Sequence, residues 1–380
     1  MDQKKFHLLV WKYGTKVLRP FIKWKFNIDF EPFHAEGPCL IIANHVTSWD
    51  PLLLAAGASN HQMYFVASEH LFRKGFVTKL IHFLVAPIAR KKGSSGADTA
   101  MQCLRSIRKG NSVCIFGEGE VTWDGVSHPS FEGTGTLARA CGGSLVTYRF
   151  EGGHLSRPRW AKRIRKGHMK GHIVNVYTKD QLRAMTADEV AAAIDQDLYE
   201  DAYARQQQHP VAFRGSRLAD RMETAAFLCP RCEKTDGLKG EGDFITCRCG
   251  FKARFTPYGA LEPADPFRNF KEWDHWQHER LTGMFEDGTL PDFYDEDGAL
   301  IEILDGHEIR PISQGALGMK DFTLSCMGAS FPLREIDQMA IVQTNILLFS
   351  HQGKYYELRT RVGVNLRKYL HIWKLCRQNG

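Results

Sequence analysis

The heptapeptide Asn44-His45-Val46-Thr47-Ser48-Trp49-Asp50 places an imidazole five residues ahead of a carboxylate, where an apolar strand ends and a helix begins. A neutral imidazole has one ring nitrogen that donates and one that accepts. With Asp50 on the donating side, the accepting nitrogen of His45 is free to take a proton from a hydroxyl. A five-residue separation across a strand-to-helix turn allows that contact. Asp50 also stands directly before Pro51 and fits the N-cap of the helix that Pro51 opens. The two roles are compatible, but capping alone leaves His45 without a purpose.

A second chemical pattern is Cys229-Pro230-Arg231-Cys232, followed after fourteen residues by Cys247-Arg248-Cys249-Gly250. Four thiolates in two pairs suit tetrahedral zinc, and a site filled by four protein ligands has no open position, so its role is structural. Rubredoxin-like iron and reduced free thiols are the alternatives. Cys39, Cys103, Cys114 and Cys141 lie in apolar stretches and read as small buried residues of a protein from a reducing compartment. No cysteine shares a motif with His45, so a Cys–His nucleophile has no support. His275 and His278, beside Trp273 and Trp276, have helical spacing and read as a helix face packing aromatics. Asp292 to Gly298 is acidic and turn-like but lacks the order of a calcium loop.

These groups need elements to hold them. From about residue 38 the pattern alternates strand and helix. Cys39–Ala43, Met63–Ala67, Ala86–Ala89, Ser112–Phe116, Leu145–Phe150 and Ile173–Tyr177 read as short buried strands. Leu71–Leu84, Ala97–Arg108, Thr134–Cys141 and Ala187–Gln206 read as helices. Strands separated by such helices predict an α/β sheet covered on both faces. After Gln208 the alternation stops, and a cysteine-rich segment, 227–258, leads into a helical and acidic linker, 259–308. The last part, 309–380, reads as β-rich: runs at Phe322–Ser325, Met339–Val342, Asn345–Ser350 and Lys354–Arg359, the last two joined by His351-Gln352-Gly353 as a hairpin loop. A closing helix carries Leu366, Tyr369, Leu370 and Trp373 on one face, an arrangement that resembles a small pleckstrin-homology-type barrel.

At 380 residues, 43% hydrophobic and 24% charged, the chain is long enough for two or three folded domains and is not a disordered one. Its charge is unevenly spread. Residues 1–25 hold seven Lys or Arg against Asp2 alone, Arg157 to Lys170 hold seven without an acid, and Glu286 to Glu308 hold nine acids without a base. In the segment 1–27, Trp11, Tyr13, Phe21, Trp24 and several aliphatics interleave with the lysines, the composition of a helix lying in a lipid interface, bent near Pro20. No run of 18 or more uncharged apolar residues appears, so no span is expected. The second basic block reads as a solvated loop or a further contact with anionic lipid. A nucleic-acid role for the cysteine segment would want more than Arg231, Lys234 and Arg248, and none is expected.

The ordered set of motifs resembles the glycerolipid acyltransferases, the 1-acylglycerol-3-phosphate acyltransferase family. His45-x-x-x-x-Asp50 stands where that family has its first motif, and Ala86-Pro87-Ile88-Ala89-Arg90 supplies its apolar strand ending in Arg. Phe116-Gly117-Glu118-Gly119-Glu120-Val121 stands in place of Phe-Pro-Glu-Gly-Thr-Arg; Ser144 to Tyr148 corresponds loosely to a fourth, Pro-containing strand. The resemblance spans roughly residues 25–205 and implies an acyltransferase domain over 28–208: an α/β sheet with flanking helices, to which a zinc ribbon and a small β-rich domain are appended.

What the resemblance implies is transfer of an acyl group from acyl-CoA or acyl-carrier protein to the free hydroxyl of a lysolipid, by default 1-acylglycerol 3-phosphate. His45 would be the general base, Asp50 its partner, and Glu118, Gly119 and Arg90 part of the acceptor site. Zinc at Cys229, Cys232, Cys247 and Cys249 would be structural, and catalysis would need no cofactor. The protein would lie on the cytoplasmic face of an anionic membrane. Glu120-Val121 replaces a hydroxyl and a cation, which leaves any acceptor phosphate to Arg90, Lys91, Lys92 or the second basic block. It also opens two alternatives: another lysolipid acceptor, or an inactive membrane adaptor acting through its zinc ribbon.

Overall fold

A computed structural model describes residues 3–68, 83, 86–90, 96–304 and 308–378, so the expected helix Leu71–Leu84 lies almost wholly outside the described residues. The chain divides into two compact units. Among the described residues, the first holds those up to 158 and 164–214; the second holds 159–163 and those from 215 onward.

The first unit begins with α1 (Gln3–Phe26), which runs through Pro20. Then follow β1 (Ile28–Phe30), β2 (Cys39–Ala43), α2 (Asp50–Gly57), β3 (Met63–Ser68), β4 (Ile88–Arg90), α3 (Ala97–Arg108) and β5 (Ser112–Phe116). After α4 (Thr134–Ala140) and β6 (Ser144–Glu151) come a single turn, α5 (Gly153–Ser156), then β7 (Met169–Tyr177), α6 (Lys179–Ala184), α7 (Ala187–Leu198) and α8 (Ala202–Gln208). The sheet order is β1-β7-β6-β2-β5-β3-β4. β2 runs parallel to both neighbours, with Leu40 opposite Val113 and Leu145, and among the described strands of this sheet only β6 and β7 meet antiparallel.

The central strand shows why the sheet is two-faced. Cys39, Ile41 and Ala43 join a core with Trp11, Ile22, Phe26, Leu53 and Leu54, under α1 and α2. Leu40 and Ile42 join the opposite core with Leu104, Ile107, Val190 and Ile194, under α3 and α7. Alternation in a strand buried on both sides leaves no polar position. Each such aliphatic contributes about 1.5–3 kcal/mol by leaving water.

Several expectations need correction. Ala187–Gln206 is two helices, because Tyr199 is extended and Asp201 caps a new start, its carboxylate accepting from the N–H groups of Tyr203 and Ala204 at 3.0 and 2.9 Å. The strand expected at Ala86–Ala89 is Ile88–Arg90, since Ala86 has φ +39°. β1 was not expected; it exists by pairing with Met169–Gly171. The second basic block is not one solvated loop: Trp160 and Arg165 are buried.

The second unit starts from β8 (Leu238–Glu241), β9 (Phe244–Cys247), β10 (Lys252–Phe255) and β11 (Leu261–Glu262), a four-stranded antiparallel sheet. Helix α9 (Phe270–Glu286) follows. β12 (Phe293–Ile303), β13 (Ile309–Lys320), β14 (Thr323–Cys326), β15 (Ala329–Pro332), β16 (Ile336–Val342), β17 (Ile346–His351) and β18 (Lys354–Thr360) form one sheet in the order β15-β14-β13-β12-β18-β17-β16, and α10 (Arg367–Gln378) ends the chain. The expected linker 259–308 therefore ends in sheet: the acidic stretch from Asp292 is mostly β12, whose inward Leu300 and Ile301 are buried. The hairpin loop is two residues, Gln352 and Gly353, because His351 pairs with Lys354 and both loop residues take positive φ.

A buried clasp ties α9 and α10 to the chain just before Cys229. Arg367 donates to Asp274 Oδ2 at 2.9 Å and to the Ala225 carbonyl at 2.7 Å. Asn365 donates to the Glu223 carbonyl at 2.8 Å, the Phe227 N–H donates to Gln277 at 2.8 Å, and the Trp273 indole N–H donates to Leu228 O at 2.9 Å. Burial would raise the Asp274 carboxyl, but Arg367 holds it below the usual range. His278, which sequence reading placed on an aromatic face, stands against Phe227 and within 3.0 Å of both Arg367 and His371. Burial and the neighbouring guanidinium push its pKa down to about 3.

Candidate active site and metal centre

β2 delivers the reactive segment at the carboxyl end of the central parallel strands, where open α/β sheets form their clefts. Asn44, fully buried, bolts that end to β6: its amide donates to Phe150 O at 2.9 Å and accepts from Phe150 N–H at 2.8 Å. His45 follows, with Nδ1 2.8 Å from Asp50 Oδ2. Its ring stacks on Phe116, centroids 4.6 Å apart, and its side chain keeps 17% of its surface exposed.

Asp50 is fully buried, which for an unpaired carboxylate would cost several kcal/mol. Four donors fill its oxygens: His45 Nδ1, the N–H of Val46 at 2.7 Å, the N–H of Thr47 at 2.9 Å and the Thr47 hydroxyl at 2.9 Å. The helix cap proper is Trp49, and Asp50 is already helical, so the N-cap role expected from Pro51 is not the one it plays. Its carboxylate turns back on the loop. An Asp50 that accepts from Nδ1–H leaves Nε2 of His45 as the acceptor, which is the tautomer a general base needs.

Glu118 lies beneath this loop. Its Oε1 accepts from the His45 N–H at 2.8 Å and its Oε2 from the His128 N–H at 3.1 Å. Burial pushes its pKa up to about 8 against those two hydrogen bonds. It also lines a cavity of about 270 Å³ with Ser127, Ser130, Asp195 and Tyr199. Gly119 has φ +71°, and a Cβ there would meet the Phe131 ring at 2.0 Å. That ring is also the platform for Arg90, whose guanidinium carbon stands 4.0 Å from its centroid. Burial lowers the Arg90 pKa, and among the described residues its Nε has no hydrogen-bond partner.

The structure thus gathers His45, Asp50, Glu118 and Gly119 at one point and brings Arg90 to the same turn through Phe131. Sequence reading missed four contributors: Asn44 as a bolt, Thr47 as a double donor, Phe131 as a platform, and Arg157, which hydrogen-bonds Ser48 Oγ within the reactive loop. Asn44 and Thr47 stand inside the heptapeptide and Arg157 opens the second basic block, but the roles of Asn44, Phe131 and Arg157 depend on contacts across the sheet.

The four cysteines lie in the second unit. Their sulfurs are all within 4.8 Å of one another, with Cys229–Cys249 at 3.6 Å and Cys232–Cys247 at 3.8 Å. Zinc–sulfur bonds of about 2.3 Å in a tetrahedron put sulfurs about 3.8 Å apart, so the donors fit such an ion. Two turns shape them: Glu233 N–H donates to Cys229 O at 2.9 Å and Gly250 N–H donates to Cys247 O at 3.0 Å, the latter with φ +90°. All four positions belong to protein.

Residues 25–151 match the family model described as Acyltransferase. Among solved structures, the 1-acyl-sn-glycerophosphate (LPA) acyltransferase PlsC from Thermotoga maritima is similar at 16% identity, with a TM-score of 0.45 over 52% of this chain and 80% of that one. Comparison with curated proteins gives no match. Residues 25–151 of this chain are therefore a domain of the acyltransferase family, to which a four-cysteine segment and a β-rich C-terminal region are appended.

Proposed function

We propose that the protein transfers a fatty acyl group from a thioester, acyl-CoA or acyl-carrier protein, to the hydroxyl of a lysoglycerolipid, by default 1-acylglycerol 3-phosphate. The observation that carries this reading is the 2.8 Å contact between His45 Nδ1 and buried Asp50, which supports Nε2 as the base. Nε2 takes the hydroxyl proton as the oxygen attacks the thioester carbonyl; when the tetrahedral intermediate collapses, the C–S bond breaks and the imidazolium returns the proton to the thiolate. Asp50 stabilises the imidazolium in between. No acyl-enzyme is required. The intact pair favours an enzyme over an inactive adaptor.

Glu118 supports the base from below, through the His45 N–H, while Gly119 gives Phe131 the room to hold Arg90. Among the described residues, Arg90 and Arg157 place guanidiniums beside these turns, and they stand in for the cation absent at Val121. Zinc held by Cys229, Cys232, Cys247 and Cys249 would fix the turns of the second unit and take no part in the reaction.

Among the described residues no helix is long and apolar enough to cross a membrane. One face of α1 buries Trp11, Ile22 and Phe26, while Tyr13, Val17, Phe21 and Trp24 stay exposed beside lysines. That exposed face supports peripheral attachment to an anionic membrane, with a cytoplasmic position the natural one for a thioester donor. Purified protein given a mixture of lysolipids with either donor would identify the acceptor by product mass. A wild-type turnover by the His45→Ala protein would refute the mechanism.

A further inference from the structure

The cavity at the C-terminal end of α1 belongs to no step of the reaction. We propose that it binds the phosphate headgroup of an anionic phospholipid in the membrane on which α1 lies, at a site separate from that of the acceptor. This rests on the reading of α1 as the membrane-facing element. The cavity has a volume of about 470 Å³, within the range of ligand sites, and is lined by Lys23, Trp24, Lys166 and His168 over a floor of Val211 and Ala212.

Two basic segments far apart in sequence are fixed there. The Asn27 amide donates to the Gly167 carbonyl at 2.5 Å, and the Met169 N–H donates to the Asn27 carbonyl at 3.1 Å. Gly167 packs so closely on Phe213 that a Cβ would stand 2.2 Å from the ring. Lys166 and His168, on either side of that glycine, are therefore held by backbone rather than left on a free loop. The Lys166 ammonium lies 4.8 Å from the centroid of the Trp24 indole. Lys23 stands 3.5 Å from Asp29, whose other oxygen is 3.1 Å from His168. That single exposed carboxylate already serves two donors, and Lys166 rests on an aromatic face.

The occupant follows from the neighbours. Trp24 is 64% exposed and Val17 74% exposed, on the same face of α1 as Tyr13. An indole at the level of a headgroup, with ammonium groups beside it, is how proteins anchor in an anionic interface. A free anion in water would have no use for the apolar stripe.

The test is co-sedimentation of full-length protein with vesicles of phosphatidylcholine alone or with 30 mol% phosphatidylglycerol (about one anionic lipid in three, the regime in which basic residues respond). The pair Lys23→Glu and Lys166→Glu should weaken binding to the anionic vesicles about tenfold or more and leave the neutral ones within about twofold. The charge-matched pair Lys179→Glu and Lys354→Glu should do much less, and Trp24→Ala should weaken binding to both vesicle types. Turnover of a soluble short-chain lysolipid should be unchanged in the pocket pair, which separates failure here from failure of the acyltransferase reading. Equal losses in the two charge pairs would mean a diffuse field and overturn the site. So would release of wild-type protein from anionic vesicles by millimolar inorganic phosphate at constant ionic strength, since the cavity would then be a site for a soluble anion.

Discussion

His45 is accessible on one side and fixed on the other, and the proposed chemistry needs both. Removing the proposed base in His45→Ala should cost about 10²- to 10⁴-fold in kcat with little effect on folding. Asp50→Asn should be nearly as damaging, because an amide nitrogen would face donors that now converge on a carboxylate; single-turnover rates with circular dichroism as a folding control would check both. Glu118 makes a pH prediction. Its pKa in the folded protein, about 8, lies above its ordinary value near 4.5, so its contribution to stability is full below about pH 4.5 and is lost as pH rises through 8. The melting temperature of wild-type protein should fall over that window, and Glu118→Gln should flatten the fall. Arg90→Ala should raise KM for 1-acylglycerol 3-phosphate more than for a neutral lysolipid, since hydrogen bonds to charged groups contribute about 1.5–3 kcal/mol. An equal loss on both acceptors would assign Arg90 to the fold or the donor instead.

At the scale of elements, α1 carries the next expectation. Deleting residues 1–25 should shift the protein from the membrane fraction to the soluble one, and salt should release the intact protein only in part, because an apolar stripe is not screened. A truncated protein that still sediments with membranes would place the anchor elsewhere. How much of this was legible in the sequence depends on how local each cause is. The sequence marks β2 and β5 to their ends, since a run of five apolar residues in β2, and of four after Ser112 in β5, bounded by a Pro or an Asn at one end and by Asn or Gly at the other, marks a doubly buried strand. β1 was invisible: Ile28-Asp29-Phe30 is a strand only because Met169–Gly171 arrives beside it. Likewise His45 and Asp50 could be paired on paper, being five residues apart, whereas the Glu118 clamp on the His45 N–H and the Arg157 bond to Ser48 come from sheet topology.

For the whole molecule, the two units imply separable responses. Chelation or Cys229→Ser should speed hydrogen exchange after Phe227 and spare β2, β5 and β6; elemental analysis of reduced protein should give about one zinc per chain. Arg367→Met should destabilise the second unit by about 3–5 kcal/mol, because it leaves Asp274 buried without its cation. The same clasp bears on how the protein matures. Arg367 joins Ala225 across 142 residues, so translation at about 5–20 residues per second separates the two by roughly 7–28 s. All four cysteines have been made by residue 249, long before that partner exists. An ion taken up by these four thiols would thus have an interval to enter on the nascent chain before Arg367 pins the segment that leads into Cys229, and with Cys232 and Cys249 only partly buried, uptake could still follow that pinning.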